Sequence, residues 1–304
     1  MSKVSIIGAG GTLGSSFGFM LALKDIYDEI CLIDKNRNLV LNHLMDMENA
    51  LVGQTKTRLY AGEMEDLKGS HVVFVTASIP NQNVTSRLVF LEGNIKVMDE
   101  IGAEIKKFAP EAIIVTATNP TDILNYYLHT KFKFDRQKLI GYNLNDSKRF
   151  EWAIRDVLGL SGTDKLFSPV LGEHGGSQVP VYSKVQLNGQ QANFKDELKE
   201  LIDHKVNSWF VQFNDLKINR TTGWTSAIGL TEVAMGLAVS KPTFILGSAI
   251  LTGEYGLSDL SIGVPMLINN EGIVEVQEWE LQEDEYNELL KSAANIKKNM
   301  SVHQ

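Results

Sequence analysis

Six histidines punctuate the chain, at positions 43, 71, 129, 174, 204 and 303. Five lie in or beside regular segments, or at the chain end, where a histidine is ordinarily a surface or satisfied residue. His174 differs. It stands in Leu171-Gly172-Glu173-His174-Gly175-Gly176-Ser177, a glycine-rich loop leaving a strand. Loops on a rigid scaffold are where catalytic groups gather. A neutral imidazole there could take the proton of a substrate hydroxyl while hydride leaves the same carbon. Such a base needs an acid to orient it and stabilise its cation. Asp146, in Asn145-Asp146-Ser147-Lys148-Arg149, either serves that purpose or simply caps a helix. Arg149 lies one turn further along the same face. Its guanidinium could grip a carboxylate bidentately, a contact worth about 1.5–3 kcal/mol; the plain alternative is a solvated surface arginine.

A second constellation opens the chain. Lys3–Ile7 leads into Gly8-Ala9-Gly10-Gly11-Thr12-Leu13-Gly14, with a helical pattern after it. Turning sharply from strand to helix, bringing backbone close to a pyrophosphate and packing the helix on the strand all call for glycine. The helix start adds N–H groups and a positive dipole. The strict G-x-G-x-x-G form fails, because Leu13 stands where the third glycine belongs. G-x-x-G-x-x-G holds with Gly8, Gly11 and Gly14. A glycine motif alone could be a flexible turn. Asp34, twenty residues past Gly14 at the end of the second strand pattern, adds context. A carboxylate there can accept hydrogen bonds from ribose hydroxyls and repels a 2′-phosphate, which favours NAD over NADP.

These groups need elements to position them. Val4–Ile7, Ile30–Ile33, Val72–Thr76 and Ile113–Thr116 read as buried strands. Leu13–Leu23, Leu39–Ala50 and Arg87–Phe108 read as amphipathic helices between them. That alternation implies an α/β fold, a parallel sheet covered on both faces. The rhythm then changes. A helix over Asp146–Leu158 precedes Phe167–Leu171 and the glycine-rich loop. A strand at Val181–Gln186 follows, then helices at Phe194–Leu216 and Ser226–Val239. Strands at Thr243–Leu251, Ile262–Ile268 and Gly272–Glu278 lead to a charged terminal helix at Leu281–Met300. The domain boundary is placed at Gly141, giving 1–141 and 142–304.

With 304 residues the chain suits two domains and can bury a core without staples. Lys plus Arg is 29 and Asp plus Glu 37, a net charge of −8 with no basic run, which argues against nucleic acid as a partner. The single cysteine, Cys31, excludes an intramolecular disulfide and any zinc site needing two cysteines. It fits a reducing compartment, and the expected location is cytoplasmic. Val4–Leu23 is uncharged and follows Lys3, as a signal peptide or membrane span would. Gly8, Gly10, Gly11, Gly14 and Gly18 interrupt it and argue against both, so no membrane partner is expected.

Taken together, these residues resemble the lactate/malate dehydrogenase family over essentially the whole chain. The resemblance rests on Gly8–Gly14 with Asp34, Thr76-Ala77 with Pro80 and Arg87, and Thr118-Asn119-Pro120-Thr121-Asp122. It continues through Asp146–Arg149, Leu171–Ser177 with Val179-Pro180, Gly223–Gly229 and Ile262-Gly263-Val264-Pro265. It implies a doubly wound Rossmann sheet holding NAD across its strand ends, followed by an α+β substrate domain. By the same resemblance His174 is the general acid/base, Asp146 its partner and Arg149 the carboxylate anchor. The resemblance further implies that Arg87 is the arginine, on a mobile loop closing over substrate, that polarises the reacting carbonyl, and that Asn119 also binds the reacting oxygen. The bond before Pro120 is expected to be cis. Gly8, Gly11, Thr12, Leu13, Gly14, Asp34, Thr76, Ala77, Asn94 and Asn119 are the expected cofactor contacts, with no metal. The family assembles through large helix-mediated interfaces, so a homo-dimer or homo-tetramer is expected.

The chain also departs from the family pattern. Lactate-type members usually carry glutamine, and malate-type members arginine, where this chain has Asn81. No residue between Asn81 and Arg87 is charged. A second substrate carboxylate buried there unpaired would cost several kcal/mol. The expectation is therefore a 2-oxo or 2-hydroxy acid with an uncharged side chain, lactate-like or larger, with Thr225 lining the same pocket. The glycine spacing and compact ends look more like malate-type members, so malate dehydrogenase stands as the alternative. A dinucleotide sensor with a decayed site would have lost the base or the arginines, and none is lost. An NAD- and metal-dependent glycosidase would need a cysteine–histidine metal pair, and Cys31 falls inside a predicted strand.

Overall fold

The computed structural model describes residues 2–80, 87–218 and 222–301, with the side chains of 87–90 and 301 outside the description. Strand β1 (Lys3–Ile7) is followed by helix α1 (Thr12–Lys24), β2 (Glu29–Ile33), α2 (Arg37–Ala50), β3 (Arg58–Ala61) and β4 (Val72–Val75). Then come α3 (Arg87–Phe108), β5 (Ile113–Thr116), α4 (Thr121–Phe132) and β6 (Leu139–Gly141). The six strands pair in parallel in the order β3-β2-β1-β4-β5-β6. The winding reverses between β1 and β4, which makes this the doubly wound sheet expected, with its crevice at the strand ends there. Buried runs such as Val72-Val73-Phe74-Val75 suit strands covered on both faces. Phe17 of α1 meets Phe74 edge-on, ring centroids 4.7 Å apart, and seats that helix on the sheet.

The second half begins with α5 (Leu144–Leu158), β7 (Leu166–Phe167), β8 (Val170–Gly172), β9 (Gln178–Pro180), β10 (Gln186–Leu187) and β11 (Gln190–Gln191). It continues with α6 (Asp196–Asp215), α7 (Gly223–Leu237), β12 (Thr243–Thr252), β13 (Ser258–Asn269), β14 (Gly272–Val276) and α8 (Glu283–Ser301). β12 joins β6 antiparallel through Ser248 opposite Gly141. β13 carries the sheet on to β8, with Gly263 opposite Gly172. One apolar core runs through both halves, from Val4 and Phe17 to Leu230, Ile262 and Ile296. A smaller core under α5 and α6 gathers Phe150, Ile154, Val170, Ile202 and Val206.

Two sequence expectations need correction. The strand expected at Val181–Gln186 is instead β9 at Gln178–Pro180, a 3₁₀ turn over Tyr182–Lys184 and the short β10. Pro180 sits on an edge strand, where a proline is tolerated; the Val181 N–H past it still reaches the Pro169 carbonyl at 2.9 Å, and the chain then turns into the 3₁₀ helix. Phe167–Leu171 splits at Pro169 into β7 and β8, which belong to different sheets. β3, β6 and α4 have no counterpart in the sequence pattern. β3 is a half-exposed edge and β6 only three residues long, so neither carries a continuous apolar run. Val4–Leu23 is β1, a glycine turn and α1. Among the described residues no helix is long and apolar enough to cross a membrane.

The glycine turn is sterically committed. Gly8 has φ +94°, and a Cβ on it would lie 2.4 Å from the Ala77 amide nitrogen. A Cβ on Gly14 would lie 2.3 Å from the Gly8 carbonyl oxygen and 2.7 Å from the Ala9 Cα. Both clashes are with backbone, which cannot swing aside. Gly14→Ala is therefore expected to cost about 1–3 kcal/mol in urea denaturation and to weaken NADH binding in a fluorescence titration.

Candidate active site

Helix α5 places Asp146 in its first turn and Arg149 three residues on. The loop after β8 brings His174 to them. His174 Nδ1 lies 2.6 Å from Asp146 Oδ2, and Arg149 Nη1 donates to Asp146 Oδ1 at 3.1 Å. One buried carboxylate thus holds a ring nitrogen with one oxygen and a guanidinium with the other. An Nδ1–H donating to Asp146 leaves Nε2 as the nitrogen able to exchange a proton. The Arg149 guanidinium lies over the Trp209 ring, 4.6 Å from its centroid.

The His174 backbone is fixed as firmly as its ring. Its N–H donates to Asp122 Oδ2 at 2.8 Å, and the Ser248 hydroxyl donates to Asp122 Oδ1. Asp122 is in the first turn of α4, directly after the Asn119–Pro120 bond, which is cis as expected. On the other side, Glu173 Oε2 accepts from Ser177 Oγ at 2.5 Å and from Asn295 Nδ2 of α8 at 2.8 Å. The Glu173 N–H donates to Ser292 Oγ at 2.7 Å. The loop is therefore gripped by α4, α5 and α8. In the sequence Asp122 stands in the Thr118–Asp122 motif without an assigned role, and Ser248, Ser292 and Asn295 fall in none of the site motifs. Asp122's place two residues after Pro120 was the available signal; the other three carried none.

At the dinucleotide end, α1 starts on Gly11 with no side-chain cap and no acid in its first turn. The helix-start amides of Thr12 and Leu13 face that uncapped end. A Cβ on Gly11 would meet only the Gly8 carbonyl oxygen, at 3.4 Å. Asp34 lies beside this turn: its Oδ2 accepts the Gly10 N–H at 3.0 Å and its Oδ1 the Asn36 N–H at 2.9 Å. Bare backbone, an open helix start and an oriented carboxylate fit the pyrophosphate and ribose of NAD.

Thr76, at the end of β4, donates from its hydroxyl to the Ile7 carbonyl at 3.0 Å, and the Ala77 carbonyl accepts from Thr118 at 2.7 Å. Asn94 is buried, accepting the Ile79 N–H at 2.8 Å and donating to the Asn119 carbonyl at 2.7 Å, so it braces the loops after β4 and β5. Asn119 itself is exposed at the strand end. Thr225 is exposed in the first turn of α7. The start of α7 is tied to that of α5 by Asn145 Nδ2 donating to Ser226 Oγ at 2.7 Å. It packs on α1 so closely that a Cβ on Gly223 would lie 2.7 Å from Thr12 Cγ2. Asn81 and the Arg87 side chain lie outside the described residues. Among those described, no cluster of three or more histidine, cysteine or acidic residues could hold a metal.

The chain matches the model of the lactate/malate dehydrogenase NAD binding domain over residues 2–141. It matches that of the lactate/malate dehydrogenase alpha/beta C-terminal domain over residues 144–304. The chain belongs to the lactate/malate dehydrogenase family. It is an NAD-dependent oxidoreductase of hydroxy acids. Malate dehydrogenase of Natronomonas pharaonis is 34% identical over 298 residues, 97% of this chain and 96% of that protein. L-lactate dehydrogenase of Bacillus velezensis is 29% identical over 314 residues, 100% of this chain and 98% of that protein. The solved malate dehydrogenase from Aeropyrum pernix superposes with a TM-score of 0.89 at 28% identity, covering 98% of this chain and 97% of that one. Cryptosporidium parvum lactate dehydrogenase, solved with lactic acid and nicotinamide adenine dinucleotide, shares the fold at a TM-score of 0.91 and 24% identity, covering 99% of this chain and 97% of that one.

Asp122 gives the site a pH signature. Burial pushes its carboxyl up to about 6, against the Ser248 and His174 hydrogen bonds and the His174 charge; Glu173 adds to the rise. Between about pH 4 and about pH 6 the folded protein keeps a proton there that the unfolded chain releases. Stability from this group is therefore lost as pH rises through that interval, on the order of 2 kcal/mol. Asp122→Asn is expected to flatten that slope in urea melts at the two ends of the interval. An unchanged slope would assign it to other groups.

Proposed function

We propose that the chain interconverts malate and oxaloacetate, His174 moving the proton and Arg149 holding the substrate carboxylate. The observation that carries the site assignment is Asp146 bridging His174 Nδ1 and Arg149 Nη1. An acid/base and a carboxylate anchor are thereby held on a single carboxylate, as a 2-hydroxy acid requires. In the oxidative direction His174 Nε2 accepts the hydroxyl proton, and Asp146 stabilises the imidazolium that results. Bound NAD supplies the acceptor for the hydride, which leaves the same carbon with its electron pair. Arg87 and Asn119 keep the roles that the resemblance gives them, on the reacting oxygen. We also assign the cofactor to residues 1–141 and the acid/base and carboxylate anchor, His174 and Arg149, to 142–304, with Arg87 and Asn119 reaching the substrate from the first half.

The choice of malate is supported by the relatives. Proteins named malate dehydrogenase match over nearly the whole chain at 29–34% identity, against 29% for the L-lactate dehydrogenase of Bacillus velezensis. One observation favours a second reading. Asn81 and its neighbours up to Ser86 carry no charge, which suits a substrate with an uncharged side chain. A homo-oligomer is supported by large apolar side chains left exposed on α2 (Leu41, Met45) and α7 (Trp224, Ile228).

NADH oxidation against oxaloacetate, pyruvate, 2-oxobutyrate, 2-oxoisocaproate and phenylpyruvate decides between the readings. Best turnover is expected with oxaloacetate, and best turnover with a monocarboxylate would make Asn81 the deciding residue. His174→Ala is expected to lower kcat by about 10²–10⁴-fold while NADH binding persists. Loss of NADH binding in that folded variant would move His174 out of the proton-transfer role.

A further inference from the structure

Trp209 lies sixty residues from Arg149 in the chain, on α6. The packing of α6 along α5 brings its indole over the guanidinium at 4.6 Å. Phe213, one turn further along α6, stacks on the same indole, ring centroids 4.9 Å apart and planes 17° from parallel. A guanidinium donates hydrogen bonds only in its own plane. An aromatic ring over its face therefore takes no donor away, while it removes the freedom of the long side chain to swing. Asp146 Oδ1 holds one edge of the same guanidinium. Face and edge together define the plane of the fork before any carboxylate reaches it, which lowers the ordering cost of binding.

We propose that Trp209 is a positioning residue for the substrate: by stacking on Arg149 it sets the plane in which the guanidinium meets the carboxylate next to the reacting carbon. The proposal rests on the reading of Arg149 as the carboxylate anchor. That carboxylate is common to every 2-oxo acid. Loss of the stack therefore penalises all of them alike, unlike loss of a residue that reads the side chain.

Initial rates of the full-length protein test this, with oxaloacetate and pyruvate as separate probes and NADH varied independently. Trp209→Leu is expected to raise KM for the 2-oxo acid about tenfold, by the same factor for each probe turned over. KM for NADH stays where it was, and kcat changes less than KM. Trp209→Phe, which keeps a flat ring, is expected to recover most of the loss. Should Trp209→Leu fail to fold, Trp209→Phe and Trp209→Tyr carry the test through a smaller KM rise confined to the 2-oxo acid. An unchanged KM in the Trp209 variants, with a raised KM in Arg149→Ala, overturns the proposal and leaves the anchor standing. A rise in KM for NADH as large as that for the 2-oxo acid also overturns it, as general damage. An unchanged KM in Arg149→Ala overturns the anchor, and the proposal with it.

Discussion

A buried carboxylate must be balanced, and Asp146 is balanced from both sides. Only 5% of it is exposed, and each oxygen has a cationic or ionisable partner. Stripping one partner from such a pair typically costs about 3–5 kcal/mol, so the ring and the guanidinium are obliged to stay near it. Everything around the site serves that geometry. α5 supplies two of the three groups at helical spacing. The third arrives on a loop whose backbone is pinned by Asp122 and whose far side is pinned by α8. The relay is held by contacts from three helices distant in sequence, so its precision comes from packing rather than from the loop.

The dinucleotide end depends on the opposite strategy, the removal of side chains. Gly8 and Gly14 are places where backbone meets backbone with no room for a Cβ. Asp34 then turns toward Gly10, which makes the acid part of the turn. The two ends meet where α7 presses on α1, with Gly223 against Thr12.

Much of this could be read from residue types and spacing. Gly8–Gly14 is a local pattern whose physics is written in adjacent residues, whereas residue types leave Asp146 and Arg149 open and only the resemblance joins them to His174. The structure places the glycine turn at the sheet crevice and joins His174 and Arg149 through the Asp146 carboxylate. What could not be read depends on distant segments meeting. Asp122 matters because the first turn of α4 faces the loop after β8, and Trp209 because α6 lies along α5. Periodicity said nothing about either. Val181–Gln186 departs from its strand pattern in another way: after the Val181–Pro169 hydrogen bond the chain turns into a 3₁₀ helix over Tyr182–Lys184. Asn94, expected among the cofactor contacts, has its amide engaged by the Ile79 N–H and the Asn119 carbonyl, partners the sequence does not reveal.

The joint between the halves is narrow along the chain but broad in space. β6 meets β12 at a single residue pair, whereas α7 lies across α1 inside the shared core. The Tyr27 hydroxyl, in the first half, reaches the Ala234 carbonyl on α7 at 2.8 Å. A chimera spliced at Gly141 with a relative's second half would have to rebuild both the β6–β12 pairing and the α1–α7 contact. An exchange of halves would therefore have to carry the facing surfaces of α1 and α7 as a matched pair.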